Sequence, residues 1–161
     1  MKKDQIIFNI FFVLIILLLL SFQARDVFAE TTVSGNVVEN STWTKANSPY
    51  KIVDTLQVFN DITLTIEEGV EVRIAGAKLI KIAGTLVVNG TNINPVIFTS
   101  LDADKWGGIE FIDSPNSQIN NSIIENAGSA VSLQGISVVL MVGNIFKNNV
   151  YPRSVTVSSV I

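Results

Sequence analysis

Asp102 and Asp104 stand two residues apart in a polar stretch, residues 101–105, and are the side chains best spaced to hold a cation. Hard cations such as calcium take oxygen ligands, and two carboxylates in one loop supply several. The same spacing also suits a solvated loop with no ion. Glu110 and Asp113 are the next carboxylates along, and Arg73 and Arg153 are the arginines that could stand beside them. Glu67, Glu68 and Glu71 make the densest acidic patch, which reads as a charged turn that keeps the surface soluble. Trp43 and Trp106 are the two tryptophans. Each is a candidate for stacking on a sugar ring, and Trp43 equally suits a lid over the first layer of a core. The chain has no histidine and no cysteine. Zinc sites, Ser-His-Asp triads, histidine acid/base chemistry, disulfides and an N-terminal lipidated cysteine are therefore excluded. These residues form no convincing catalytic constellation.

The elements that must position them are short strands. Residues 61–100 run in pieces of four or five, broken by Gly, Asn and Pro. Thr63 to Ile66 and Glu71 to Ile74 alternate polar with apolar residues, and nothing there has helical period. Strands this short cannot cover a core alone, so successive windings of the chain must stack. A period of 22 supports this. It carries Ile97 to Ile119 and Met141, Ile109 to Val131, Phe111 to Leu133, Ile124 to Phe146 and Asn126 to Asn148. That length fits three short strands and three bends. Ile97, Ile119 and Met141 in one column is the sharpest expectation of this winding. Asn126 and Asn148 read as a ladder of side-chain amides at a left-handed bend, or as two unrelated turn asparagines. The expected fold is all-β, a right-handed parallel β-helix of about four coils. Residues 30–55 read as an N-terminal β cap and 56–161 as the coils, with the C-terminal end uncapped or truncated.

The first 29 residues read as a secretory signal peptide. Lys2 and Lys3 precede an apolar run over 6–20, and Val27-Phe28-Ala29 suits cleavage after Ala29. An uncleaved anchor is the alternative, against which the run is short of the ~20 residues a spanning helix needs. Either reading places the remainder outside the cytoplasm, secreted or at the cell surface. Removal of the segment leaves eight basic against twelve acidic residues. No basic patch is visible, so a nucleic-acid partner is not expected. Three stretches, beginning at Asn40, Asn89 and Asn120, fit the glycosylation acceptor pattern. The alternating end of the chain, residues 154–161, offers an open apolar edge and the prospect of end-to-end self-association.

Together these residues resemble the exported surface-protein branch of the right-handed parallel β-helix, pectin-lyase-like family. The likeness runs through Thr42-Trp43-Thr44, Ser48-Pro49-Tyr50, the run from Leu64 to Val70, Gly84-Thr85-Leu86, the run from Pro95 to Ser100, and Trp106-Gly107-Gly108-Ile109. The resemblance implies a scaffold that hosts lyases, hydrolases and adhesins, so it implies no single activity. The family's hydrolases pair aspartates with a His-Gly, which this chain lacks. Its lyases use carboxylate-bound calcium beside an Arg or Lys. The expected function is a non-catalytic exported module with a structural, adhesive or glycan-binding role, its partner an extracellular polysaccharide or another surface protein. A polysaccharide lyase or its remnant is the alternative, and a folding fragment without its own function the third.

Overall fold

The structure is a computed structural model and describes residues 30–156 together with Lys3, Phe11 and Phe12. The signal-peptide reading and the last residues of the chain lie outside the described residues. Among the described residues no helix is long and apolar enough to cross a membrane.

The chain winds as a parallel β-solenoid. The first coil holds β1 (Thr31–Val33), β2 (Asn36–Val37) and β3 (Ser41–Trp43). A 3-10 turn, Lys45–Asn47, leads to the second coil, β4 (Tyr50–Ile52), β5 (Leu56–Val58) and β6 (Thr63–Ile66). The third holds β7 (Glu71–Ile74), β8 (Leu79–Ile82) and β9 (Thr85–Asn89). The fourth holds β10 (Val96–Ser100), β11 (Gly108–Ile112) and β12 (Ser117–Asn120). The fifth holds β13 (Ser122–Glu125), β14 (Ser129–Gln134) and β15 (Val139–Val142), and β16 (Ile145–Lys147) and β17 (Tyr151–Thr156) begin a sixth. Every third strand pairs in parallel. Sheet A runs β1-β4-β7-β10-β13-β16, sheet B runs β2-β5-β8-β11-β14-β17, and sheet C runs β3-β6-β9-β12-β15.

The interior is built from columns of side chains one coil apart. Tyr50, Val72, Phe98, Ile124 and Phe146 stack in sheet A. Trp43, Ile66, Val88, Ile119 and Met141 stack in sheet C. Val58, Ile82, Phe111 and Leu133 stack in sheet B. The alternation seen in sequence is what permits this. β6, β7 and β8 each alternate half-buried and buried residues, so one row per strand enters the core. Burial of these rows supplies the driving force, at about 25 cal/mol per Å² of apolar area removed from water.

Three sequence expectations need correction. The solenoid has about six windings, not four, because the short strands of residues 30–55 are not a separate cap but the first coil and the start of the second. The column of Ile97, Ile119 and Met141 is split. Ile119 does stack on Met141, but Ile97 lies in sheet A and pairs with Glu71 and Ile123. The coils are unequal: the step from Thr99 to Glu125 is 26 residues, from Leu86 to Ser117 it is 31, and from Ser122 to Asn144 it is 22. The polar loop at 101–105 adds to the longer windings, so a fixed period of 22 crosses into another sheet.

Corner geometry fixes several residues. Gly108 has φ +121, and a Cβ there would lie 1.6 Å from the carbonyl oxygen of Ser129 on the next coil. Only glycine allows that approach. Ser114 and Ser117 turn inward at the corner between sheets B and C. Ser114 Oγ donates to the Gly84 carbonyl at 2.6 Å, lies 2.9 Å from Ser117 Oγ, and Ser117 Oγ accepts the Leu86 N–H at 2.9 Å. Burial of these hydroxyls is tolerable because each has partners.

Candidate functional site: an axial groove on the solenoid wall

The outer wall sorts its chemistry by sheet. No strand of sheet C contains a charged residue. Its outward positions carry Thr42, Thr65, Val87, Gln118 and Leu140 in one register row. Sheet A carries Lys51, Arg73, Thr99, Glu125 and Lys147 in a row. Beside that charged row runs a second outward row, Glu71, Ile97, Ile123 and Ile145. Three isoleucines thus face outward at successive coils, Ile97 and Ile123 half-buried and Ile145 about half exposed at 51%.

The corner between sheets C and A explains why this row is uncovered. The residues two before each member are Gly69, Pro95, Asn121 and Gly143. Gly69, Asn121 and Gly143 have φ of +69, +46 and +68. Left-handed backbone favours glycine and asparagine, so the corner carries little side-chain bulk. Two shallow concavities follow the row end to end. One of about 230 Å³ is lined by Lys45, Ser48, Pro49, Gly69, Glu71 and Ile97. The other, of about 210 Å³, includes Pro95, Asn121, Ile123, Gly143 and Ile145. The rim is polar: Thr91 Oγ1 donates to Glu68 Oε2 at 2.9 Å, and Asn121 Nδ2 donates to the Gly90 carbonyl at 3.0 Å.

The residues singled out from sequence lie elsewhere. Trp43 is 6% exposed and stacks on Tyr50, with ring centroids 4.5 Å apart and planes 7° from parallel. Trp106 is fully buried, and its Nε1–H donates to the Glu125 carbonyl at 2.8 Å. Neither indole presents a face to a sugar, so the ligand-stacking reading is corrected to a structural one. Their burial follows from their place over interior columns, where a large apolar ring is worth most.

Asp102 and Asp104 do share one corner, between sheets A and B. Asp102 is already engaged: one oxygen accepts the Gly76 N–H at 3.3 Å and the other the Asp104 N–H at 3.0 Å. Among the described residues no group of three or more His, Cys, Asp or Glu gathers where it could hold a metal. Glu110 instead pairs with Lys81 at 3.5 Å on sheet B, and Asp113 accepts the Ile136 N–H at 3.1 Å in the next corner. The four carboxylates are not brought together. Arg73 is held by both oxygens of Glu71, at 2.8 and 3.1 Å, which raises its pKa above the ordinary value. Lys51 is held by Glu30. Arg153 takes the register position beside Val131.

Asn126 and Asn148 do adopt left-handed backbone, φ +60 and +51. Their amides form no ladder. Asn126 Nδ2 donates to Thr99 Oγ1 at 3.3 Å, and the Asn148 carbonyl accepts from Lys105. Asn144 and Asn149 each bridge to the preceding coil with two bonds to backbone. Asn144 Oδ1 accepts the Ser122 N–H at 2.8 Å and its Nδ2 donates to the Ile119 carbonyl at 2.7 Å. Asn149 makes the same pair of bonds to Ala127 and Ile124, both at 2.8 Å.

The isoleucine row escaped the sequence reading. Its signal was present: in Ile97-Phe98, Ile123-Ile124 and Ile145-Phe146 the alternation fails in the same way on three strands, leaving an apolar residue on each side.

Parallel strands stacked in three sheets around one apolar core define a β-helix protein. Within that class the chain belongs to the pectate-lyase like beta helix domain family, whose model matches residues 35–142. No curated protein and no solved structure matches the chain.

Proposed function

We propose that this chain is a non-catalytic, exported β-helix module that binds glycans at the cell surface. The observation that carries this reading is that two of the groups singled out for lyase chemistry, Arg73 and Asp102, are already engaged. Arg73 is closed into a two-bond pair with Glu71, and Asp102 spends both oxygens on backbone N–H groups. A lyase needs a base free to take a proton and carboxylates free to hold calcium. What remains is a long wall of regularly spaced side chains, suited to gripping a polymer. Family membership supports a carbohydrate-related role, and the basic start and apolar run before Ala29 support export.

Binding of the purified protein across a glycan array tests the reading, together with incubation on polygalacturonate and other uronic-acid polymers with and without calcium. Retention on glycans with no rise in ultraviolet absorbance is expected. A calcium-dependent rise would replace the reading with that of a polysaccharide lyase, which the family description favours.

A further inference from the structure

Exposed apolar residues collect at one end of the solenoid. Over residues 30–125 the exposed large apolar residues are Val38, Val53, Phe59 and Ile93, scattered singly. From residue 136 to 151 there are seven, each more than half exposed: Ile136, Val138, Leu140, Val142, Ile145, Val150 and Tyr151. They follow the chain around the wall as a girdle. Ile136 stands at the corner between sheets B and C, Val138 leads into β15, and Leu140 and Val142 lie on it in sheet C. Ile145 opens β16 in sheet A, Val150 stands at the corner between sheets A and B, and Tyr151 opens β17 in sheet B. Outward positions are polar by default, and a contiguous apolar band marks an interaction surface.

Charge changes sign at the same place. Residues 30–125 hold twelve acidic and six basic side chains, and Glu125 is the last acid of the chain. Beyond it the charged residues are Lys147 and Arg153. Lys147 follows Ile145 on β16 and makes no ion pair among the described residues. The body of the solenoid is therefore acidic and its girdled end basic.

The arrangement of the girdle chooses the partner. A second copy stacked coil on coil would cover strand edges and inward columns, and would leave an outward girdle in water. Arg153 also takes the next place in the column Leu56, Ile80, Ile109 and Val131, so a further apolar coil there would have to bury a charge. A protein docked on one wall would cover one side of the girdle. A bilayer surrounds whatever dips into it and covers all three walls at once. Anionic headgroups complement Lys147 and Arg153 and repel the acidic body, which keeps the solenoid axis upright. Tyrosine and long basic side chains suit this interface, with their apolar parts down and their polar ends in the headgroups. We infer that the C-terminal end of the solenoid docks in the interface of an anionic lipid bilayer, with the girdle from Ile136 to Tyr151 at headgroup depth. The inference goes beyond the glycan reading and is independent of it: it concerns what holds the module at a surface.

The chain has no cysteine, so a single introduced one carries an environment-sensitive fluorophore to a chosen site. The full chain is labelled at Leu140→Cys, Val150→Cys and, at the opposite end, Thr42→Cys. Each is mixed with vesicles of phosphatidylcholine containing phosphatidylglycerol, and with vesicles of phosphatidylcholine alone. On the anionic vesicles the labels at 140 and 150 are expected to shift to the blue and to be quenched by nitroxide lipids, while the label at 42 stays as in buffer. Lys147→Gln in the Leu140→Cys background should weaken this about fivefold, and added salt should weaken it too. Labels at 140 and 150 that stay as in buffer overturn the proposal, even where the chain floats with the vesicles, because another segment then holds it. A label at 42 that responds like the other two means that the solenoid lies on its side and overturns the end-on placement. An equal response on neutral vesicles, untouched by Lys147→Gln, overturns the choice of anionic lipid. A blue shift in vesicle-free buffer that grows with protein concentration assigns the girdle to a second copy and overturns the proposal.

Discussion

The indole of Trp106 and the backbone carbonyl of Glu125 are joined by a 2.8 Å hydrogen bond that ties the fourth coil to the fifth. The ring is fully buried at the corner between sheets A and B. Truncation removes both packing and the donor. Trp106→Ala is expected to cost about 3–5 kcal/mol. Trp106→Phe keeps most of the packing but leaves the carbonyl unpaired, and is expected to cost about 1–3 kcal/mol. Chemical denaturation measures both. Because Trp43 is buried as well, tryptophan emission should not change when a glycan binds; a large quench would show an indole at the binding surface.

Gly108 and Gly128 make opposite predictions. A Cβ at Gly108 falls 1.6 Å from a backbone oxygen, on a backbone with φ +121. Gly108→Ala must therefore push two coils apart, and is expected to lower the melting temperature sharply or prevent folding. At Gly128 the nearest atoms to a Cβ are 3.6 Å away. Gly128→Ala is expected to be neutral or to stabilise by up to about 1 kcal/mol, through the unfolded chain. Equal effects of the two would mean that the coils are not stacked in this register.

The winding itself was legible because alternation and coil length are local properties. Thr63 to Ile66 announces which residues enter the core without reference to any other strand. Facts that depend on register across coils were not. Ile97 resembles Ile119 in type and in its 22-residue offset, yet belongs to another sheet because the loop at 101–105 lengthens one winding. The asparagine ladder went astray for a similar reason. Left-handed bends at Asn126 and Asn148 follow from residue type, but which amide reaches the neighbouring coil depends on where it stands. Asn144 and Asn149 reach it from ordinary backbone. The first coil was hidden by its brevity: β2 is two residues long and buries one valine.

Asp102 acts as a corner brace rather than an ion ligand in this geometry. Its oxygens take the N–H groups of Gly76 and Asp104. Asp102→Ala is expected to destabilise by about 1 kcal/mol, by the same amount in calcium and in EDTA. A melting temperature of the wild type that rises with calcium and does not in Asp102→Ala would restore the cation reading.

Asp54 is the carboxylate whose titration the fold alters through a nearby cation. Its Oδ1 accepts from Lys78 Nζ at 3.0 Å and from the Thr55 N–H at 2.8 Å, and these bonds hold its pKa below the ordinary carboxylate value. A folded-state pKa below the unfolded one means that the contribution is present at neutral pH and is lost as acid protonates Asp54, below about pH 4. The group is fully exposed, so the effect on stability is small and fades with salt. NMR titration should find Asp54 low in the native chain and returned upward in Lys78→Met. No change between the two would remove Lys78 as the cause.

Asn144 and Asn149 staple one coil to the next with the same two bonds, and this repetition makes a quantitative test possible. In Asn144→Ala the Ser122 N–H and the Ile119 carbonyl both lose their partner, and the cost is expected at about 1–3 kcal/mol. Asn144→Asp retains the acceptor for Ser122 but not the donor for Ile119, so it should fall between wild type and alanine. Asn126 contributes one 3.3 Å bond and a left-handed backbone. Asn126→Gly keeps the backbone free of strain and is expected to cost well under 1 kcal/mol, whereas Asn126→Ala adds about 1–2 kcal/mol of left-handed strain. The ordering in denaturant midpoint is therefore wild type, Asn126→Gly, Asn144→Asp, Asn144→Ala. If Asn126→Gly proved the most damaging of the set, the amides that hold the coils together would be the ladder at the bends, and Asn144 and Asn149 would be bystanders.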